Sequence, residues 1–210
     1  MSGFEVNGTH TLRDMGLCCA SRSLSPPARK SATKSLPYAD GLLDFSQLDG
    51  RPYFEARTLA FAFDLVADSP QELEAAACGL RELAAYVHDA DIWDDDCPGY
   101  HWHGSVSGID EEQDEYGLSS TVTVSFAVDP YRIADFDSEA ALAVGTNRVL
   151  NAGAWARPTI EPDGTVTVQI GNVKQSFSAP LQADFALERG WNEIEVAGGS
   201  AVMRWRERRL

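Results

Sequence analysis

The sequence predicts a mainly β chain with one helix, an α+β fold laid out in two successive parts. Three observations carry this expectation. Residues 53–66 and 117–128 alternate apolar and polar side chains with the two-residue period of a half-buried strand. A single apolar stripe of helical period runs from Leu73 to Val87. After Asp137 the chain breaks into short apolar runs between turn residues, the pattern of a small antiparallel sandwich.

Taken in order, Phe4–Leu12 reads as a hairpin closed by Asn7-Gly8, a dipeptide that accepts the positive φ angles of a tight strand reversal. The sequon Asn7-Gly8-Thr9 is therefore read as a turn and not as a glycan acceptor. Residues 20–50 read as strands separated by long loops, with turns at Ser25-Pro26-Pro27 and Pro37–Gly41. In the strand that follows, Leu59, Phe61, Phe63 and Leu65 share one face. Ser69 suits a helix N-cap, Pro70 the first helical position, and Glu72 completes a capping box. The helix is expected to end near His88, ahead of a solvated acidic run.

Two strands follow, Tyr100–Ile109 and Gly117–Val128, joined by a charged loop over 110–115. In the second, Leu118, Ser120, Val122, Val124, Phe126 and Val128 face one side and Thr121, Thr123 and Ser125 the other. Asp129-Pro130-Tyr131 stops it, because proline has no N–H to give to a ladder. Further strands are expected at 147–150, 158–161, 165–170, 174–177, 192–196 and 201–206, with turns at Pro162-Asp163-Gly164 and Gly198-Gly199.

Charge divides the chain as clearly as pattern does. Residues 1–136 carry 23 acidic and 9 basic side chains and residues 137–210 carry 9 and 8, which accounts for the net charge of −15. This step places a domain boundary at 136/137. A chain this acidic is poorly suited to specific nucleic-acid binding, since affinity for phosphate comes mainly from Lys and Arg. No apolar run reaches the length of a membrane span. The first residues carry neither a basic nor an apolar signal segment, so no export and reduced thiols are expected for Cys18, Cys19, Cys78 and Cys97.

Candidate chemistry is sparse. The sequence contains no GxSxG elbow, phosphate loop, dinucleotide fingerprint or HExxH motif. The stretch 94–103 gathers Asp96, Cys97, His101 and His103, and an HxH pair on a strand holds a metal if a third ligand arrives from elsewhere. The competing reading is a Pro98-Gly99 turn followed by a strand that buries Tyr100 and Trp102 while His101 and His103 face solvent. That reading is preferred, so neither a metal nor a cofactor is expected and no catalytic residue is assigned. At the C-terminus, Arg204-Trp205-Arg206 reads as a strand with Trp205 inward and its arginines turned toward acidic neighbours.

The order of short motifs resembles the distal tail (Dit) family of long-tailed, non-contractile bacteriophages. The resemblance rests on Phe4-Glu-Val-Asn-Gly8, Asp14-Met-Gly-Leu17, Tyr38–Asp44, the aromatic strand Arg57–Phe63 and the Ser69 helix. It continues through Pro98–Gly104, Phe126–Tyr131, Asn151-Ala-Gly, Pro158-Thr-Ile160, the segment 188–196 and Trp205–Leu210. It implies a split-β-barrel belt domain over 1–136 that forms a ring, followed by a galectin-like β-sandwich over 137–210. It also implies a non-enzymatic virion protein at the phage tail tip, assembled in the host cytoplasm. Its partners would be itself in a homo-hexameric ring, the major tail tube protein, the tail-tip hub protein and, in many phages, receptor-binding proteins. On that basis Phe4, Val6, Asn7, Gly8, Asp129, Pro130 and Tyr131 are candidate ring contacts. Asp94, Asp95, Asp96, Asp110, Glu111 and Glu112 are candidate acids lining a bore, where they would repel DNA. The alternative function is a carbohydrate- or receptor-binding module that uses Trp155 or Trp191 of the sandwich as a stacking platform.

Overall fold

The computed structural model describes residues 2–35, 37–38, 40–41, 43–47 and 50–210. Ala39 and Leu42, which belong to the 38–44 motif, lie outside the described residues. The chain divides into two compact units, Met1–Pro130 and Tyr131–Leu210, where the charge step had pointed to 136/137.

The first unit contains β1 (Phe4–Val6), β2 (Thr9–His10), β3 (Ser21–Leu24), β4 (Thr33–Lys34), β5 (Leu43–Asp44) and β6 (Arg57–Val66). The helix α1 (Pro70–Ala85) follows, then β7 (Ala90–Asp94), β8 (Tyr100–Gln113) and β9 (Ser119–Val128). Asn7 and Gly8 both take positive φ, 51° and 76°, so the β1–β2 hairpin turns as Asn-Gly requires. The main sheet runs β2-β1-β7-β8-β9-β6-β3 with antiparallel neighbours. Its two ends approach each other: the Cys19 N–H donates to the Ser2 carbonyl at 2.9 Å, one isolated bridge between the run entering β3 and the residues entering β1. The described residues thus form a curled sheet that meets itself at one pair, and not a closed barrel.

Phe4, Phe61, Phe63 and Phe126 fill the inside of this curl, Phe4 standing 4.7 Å from Phe61 and 5.3 Å from Phe126 between ring centroids. The predicted alternation in β6 and β9 holds: Leu59, Phe61, Phe63 and Leu65 are buried, as are Val122, Val124, Phe126 and Val128. The helix begins as expected, with the Ser69 hydroxyl accepting from the Glu72 N–H at 3.3 Å. Leu73, Ala77, Leu80 and Ala84 are its buried residues.

Several expectations in this unit fail. The helix ends at Ala85 and not near His88, and the acidic run after it includes strand β7 instead of being wholly solvated loop. Ile92 and Asp94 point inward from β7, an alternation hidden in the sequence by the surrounding aspartates. Likewise β8 continues to Gln113, so Asp110, Glu111 and Glu112 stand on a paired strand and not in the expected loop, although they do remain exposed.

The second unit contains β10 (Arg132–Ala134), β11 (Ser138–Leu142), β12 (Gly145–Asn151), β13 (Thr159–Pro162) and β14 (Val166–Ile170). It continues with β15 (Val173–Phe177), β16 (Leu181–Gln182), β17 (Gly190–Ala197), β18 (Ala201–Trp205) and β19 (Arg208–Arg209). Two four-stranded sheets, β11-β18-β13-β16 and β12-β17-β14-β15, enclose one core that includes Ile160, Met203, Val168, Phe177 and Ile194. This is an antiparallel sandwich, as the turn spacing predicted. Four of its strands, β10, β11, β16 and β19, go beyond those the sequence reading named.

Candidate assembly surfaces

The hairpin residues separate by period. Phe4 and Val6 are fully buried in the core of the first unit, while Asn7 and Gly8 are exposed at the turn. The sheet position explains this: β1 lies between β2 and β7, so its backbone is already paired on both sides. The free strand edges of the path are those of β2 and β3. Asp129 is exposed and its N–H donates to the His103 carbonyl at 2.8 Å. In the second unit Tyr131 lies under the Arg208 guanidinium, 5.6 Å from its ring centroid, and burial pushes its phenol pKa up.

The acids fall into two classes. Asp94 is buried and accepts from Arg22 Nε at 2.6 Å and from the Asp96 N–H at 3.0 Å. Asp95 accepts from the Gly3 N–H at 2.9 Å, and its other oxygen lies 3.2 Å from His10 Nε2. Glu111 accepts from Arg81 at 2.9 Å and from the Ser120 hydroxyl at 3.2 Å. These three carboxylates hold elements of the unit together. Asp96, Asp110 and Glu112 are exposed.

The histidine pair departs from its expected exposure. His101 is buried, its ring 5.4 Å from that of Trp93 on the neighbouring strand, because the unforeseen β7 supplies a cross-strand aromatic. His103 spans two carboxylates, with Nδ1 2.8 Å from Asp91 and Nε2 3.0 Å from Asp89. The hydrogen bond to Asp91, aided by that to Asp89 and opposed by burial, raises its pKa above the ordinary histidine value. Cys97 lies 3.7 Å from Arg22 Nη2. No group of three or more His, Cys, Asp or Glu side chains able to hold a metal ion gathers among the described residues.

In the second unit the C-terminal arginines are occupied locally: Arg204 by Glu139 and Glu161, and Arg206 by Asp137. Trp205 is buried as expected. Trp155 is half-buried, with the Arg208 guanidinium 4.8 Å from its ring centroid. Trp191 is 62% exposed on β17, with Arg148 over one face at 5.1 Å and Leu150 as its cross-strand neighbour. Sequence reasoning left the exposed segment 26–35 without a role; its cations lie on the connection between β3 and β6, which also carries Asp40, Asp44 and Glu55.

No family model and no curated protein matches the chain. Among solved structures, it is similar to the Dit protein (gp 19.1) of phage SPP1, described as a paradigm of the hub adsorption apparatus in phages that infect Gram-positive bacteria. That match covers 100% of both chains with a TM-score of 0.77 at 15% sequence identity. Two structures of the phage P2 baseplate in its activated conformation, with Ca and with Sr, align over 99% of this chain and 98% of theirs. Their TM-scores of 0.40 and 0.41, at 7% and 8% identity, add nothing to the fold argument. From its first strand to its last, the chain has the fold of a phage distal tail (Dit) protein.

Proposed function

We propose that the chain is a structural virion protein of a long-tailed phage, whose copies close into a ring, hexameric by the family resemblance, between the tail tube and the tail tip. The observation that carries this reading is the full-length similarity to the SPP1 Dit protein. In this reading the first unit forms the ring. The major tail tube protein stacks on one side, the tail-tip hub protein on the other, and receptor-binding proteins dock at the periphery. The assembly builds in the host cytoplasm and functions at the phage tail tip.

Cyclic closure requires two different, complementary patches on each copy. The exposed Asn7-Gly8 turn, the edges of β2 and β3, and Asp129-Pro130-Tyr131 are the proposed sources. Of the acids, Asp96, Asp110 and Glu112 are proposed to face the bore, where fixed negative charge keeps DNA phosphates from adhering. The test is mass by light scattering together with micrographs of the purified chain. Annuli at a multiple of 22.9 kDa are expected. Location anywhere but the tail tip in intact particles would overturn the reading.

A second reading, carbohydrate binding by the sandwich, is favoured by one observation, the exposure of Trp191 beside Arg148. Glycan-array binding that disappears in Trp191→Ala would support it; an empty array would remove it.

A further inference from the structure

The run between α1 and β7 is a sharp turn that β8 holds in place. Val106 N–H donates to the Val87 carbonyl at 3.1 Å, and Asp89 N–H donates to the Ser105 hydroxyl at 2.9 Å. Asp89 takes φ 52°, one of three non-glycine residues with positive φ among the described residues. Aspartate tolerates this left-handed region better than most side chains, yet glycine would enter it without steric cost. What aspartate adds here is a carboxylate, and it is directed at His103 of β8, whose Nε2 lies 3.0 Å from Asp89 Oδ1. Tyr86, the C-cap of α1, stands 82% exposed on the same turn, so what β8 fixes is outward-facing surface.

The second ring nitrogen of His103 is engaged as well. Nδ1 lies 2.8 Å from Oδ1 of Asp91, its cross-strand partner on β7. An ionised carboxylate only accepts, so both nitrogens are satisfied only when each carries hydrogen, as in the imidazolium. The neutral ring has a single N–H, and one of the two carboxylates then faces a lone pair. The ion pairs of Asp89 and Asp91 among the described residues are all with histidine, the third joining Asp91 Oδ1 to His101 Nε2 at 3.8 Å. Two further titratable residues border the cluster. His88 Nδ1 lies 3.4 Å from the Ser105 hydroxyl, and Asp129 N–H donates to the His103 carbonyl. Asp91 is held opposite His103 by the β7–β8 ladder, whereas Asp89 belongs to the turn and its side chain is 80% exposed. Asp89 is therefore the partner given up when a proton leaves.

We infer that His103 is a proton-operated clamp: with both ring nitrogens protonated it binds Asp91 and Asp89 together and pins the α1–β7 turn to β8, and loss of one proton frees Asp89 and loosens the turn. The clamp answers to pH in one direction. The hydrogen bond to Asp91, with that to Asp89, raises the His103 pKa above the ordinary histidine value, against the opposing effect of burial. The clamp is thus closed below about pH 6.5 and opens as pH rises through the raised value. Once open, the left-handed Asp89 keeps only its backbone bond to Ser105, and the turn samples unpaired conformations more often. The change stays local, because the β7–β8 and β8–β9 ladders keep their own backbone pairing. The inference stands apart from the ring reading.

The test is hydrogen–deuterium exchange of the full chain, read by mass spectrometry from about pH 5 to about pH 9, on both sides of the histidine range. Protection is corrected for the intrinsic pH dependence of amide exchange, and light scattering gives the oligomeric mass at each pH. The amides of residues 86–90 are expected to lose protection about fivefold across the His103 titration, the upper range for an ion pair open to water. Those of β9 should keep theirs. His103→Gln should hold the turn at the less protected level at every pH. Asp89→Asn keeps a residue suited to positive φ but removes the carboxylate, and should abolish the step. Circular dichroism checks that both variants remain folded; neither position is buried. A wild-type turn whose protection ignores pH, a step that survives in Asp89→Asn, or a loss shared equally by β9 would overturn the clamp. So would a step that appears only when the scattered mass changes, since the protection would then belong to contact between copies.

Discussion

Phe4 shows how a residue drawn from a motif takes its role from its neighbours. Its ring packs against Phe61, Phe63 and Phe126, so Phe4→Ala empties the centre of the first unit and is expected to cost about 3–5 kcal/mol in denaturant unfolding. An assembly defect in that variant would follow from lost folding. Arg22 and Asp94 make the opposite point, since neither has a sequence signal: they are 72 residues apart and one lies in an acidic run. The Asp94 side chain is 1% exposed and Arg22 20%, so Arg22→Ala strands a buried carboxylate. A loss of about 2–3 kcal/mol is expected, below the fully buried range because Arg22 keeps part of its surface in water. His103 carries a pH dependence of defined sign. Its folded pKa is raised by Asp91 and then Asp89, so its contribution to stability is full below about 6.5, the unfolded value, and fades as pH rises through the folded one. Proton NMR should show His103 titrating above the ordinary histidine value, and Asp91→Asn should bring it down. An unchanged titration in that variant would remove Asp91 as the cause.

At the scale of elements, legibility followed period and punctuation. The helix was readable because Ser69, Pro70 and Glu72 mark its start and because leucine and alanine recur on one stripe. Its end was not, since Tyr86 to His88 carry no glycine cap and Val87 prolongs the apolar stripe after the helix has stopped. Strand β7 was unreadable for a different reason. Five of the eight residues from Asp89 to Asp96 are aspartates, and local composition outweighed the inward alternation of Ile92 and Asp94. Two of those aspartates satisfy partners remote in sequence, a tertiary fact that no window of local sequence contains. Two substitutions test the element boundaries. Ser69→Ala removes the acceptor of the Glu72 N–H and should cost about 1 kcal/mol. Gly104→Ala should be worse, because its new Cβ would stand 2.3 Å from the Ala127 carbonyl oxygen on the paired strand β9. The backbone there can yield only by prising β8 from β9, and a loss of about 2–3 kcal/mol in chemical denaturation is expected.

For the whole molecule the governing quantity is the concentration of negative charge in the N-terminal half, and it acts on assembly in two opposing ways. Copies that each carry this excess repel one another over tens of ångströms, a distance that salt screens efficiently: the Debye length falls from about 30 Å at 0.01 M to about 8 Å at 0.15 M. Any charge pairs formed between neighbouring copies act at contact distance, where moderate salt weakens them far less. Adding salt from a low starting point therefore relieves repulsion first and promotes association. Near 1 M the Debye length is about 3 Å and the contact pairs themselves are screened. Oligomer mass measured by light scattering against NaCl concentration should accordingly pass through a maximum near physiological ionic strength and decline at molar salt. A mass that rises steadily to 1 M salt in the wild-type chain would mean that apolar burial, and not charge pairing, holds neighbouring copies together.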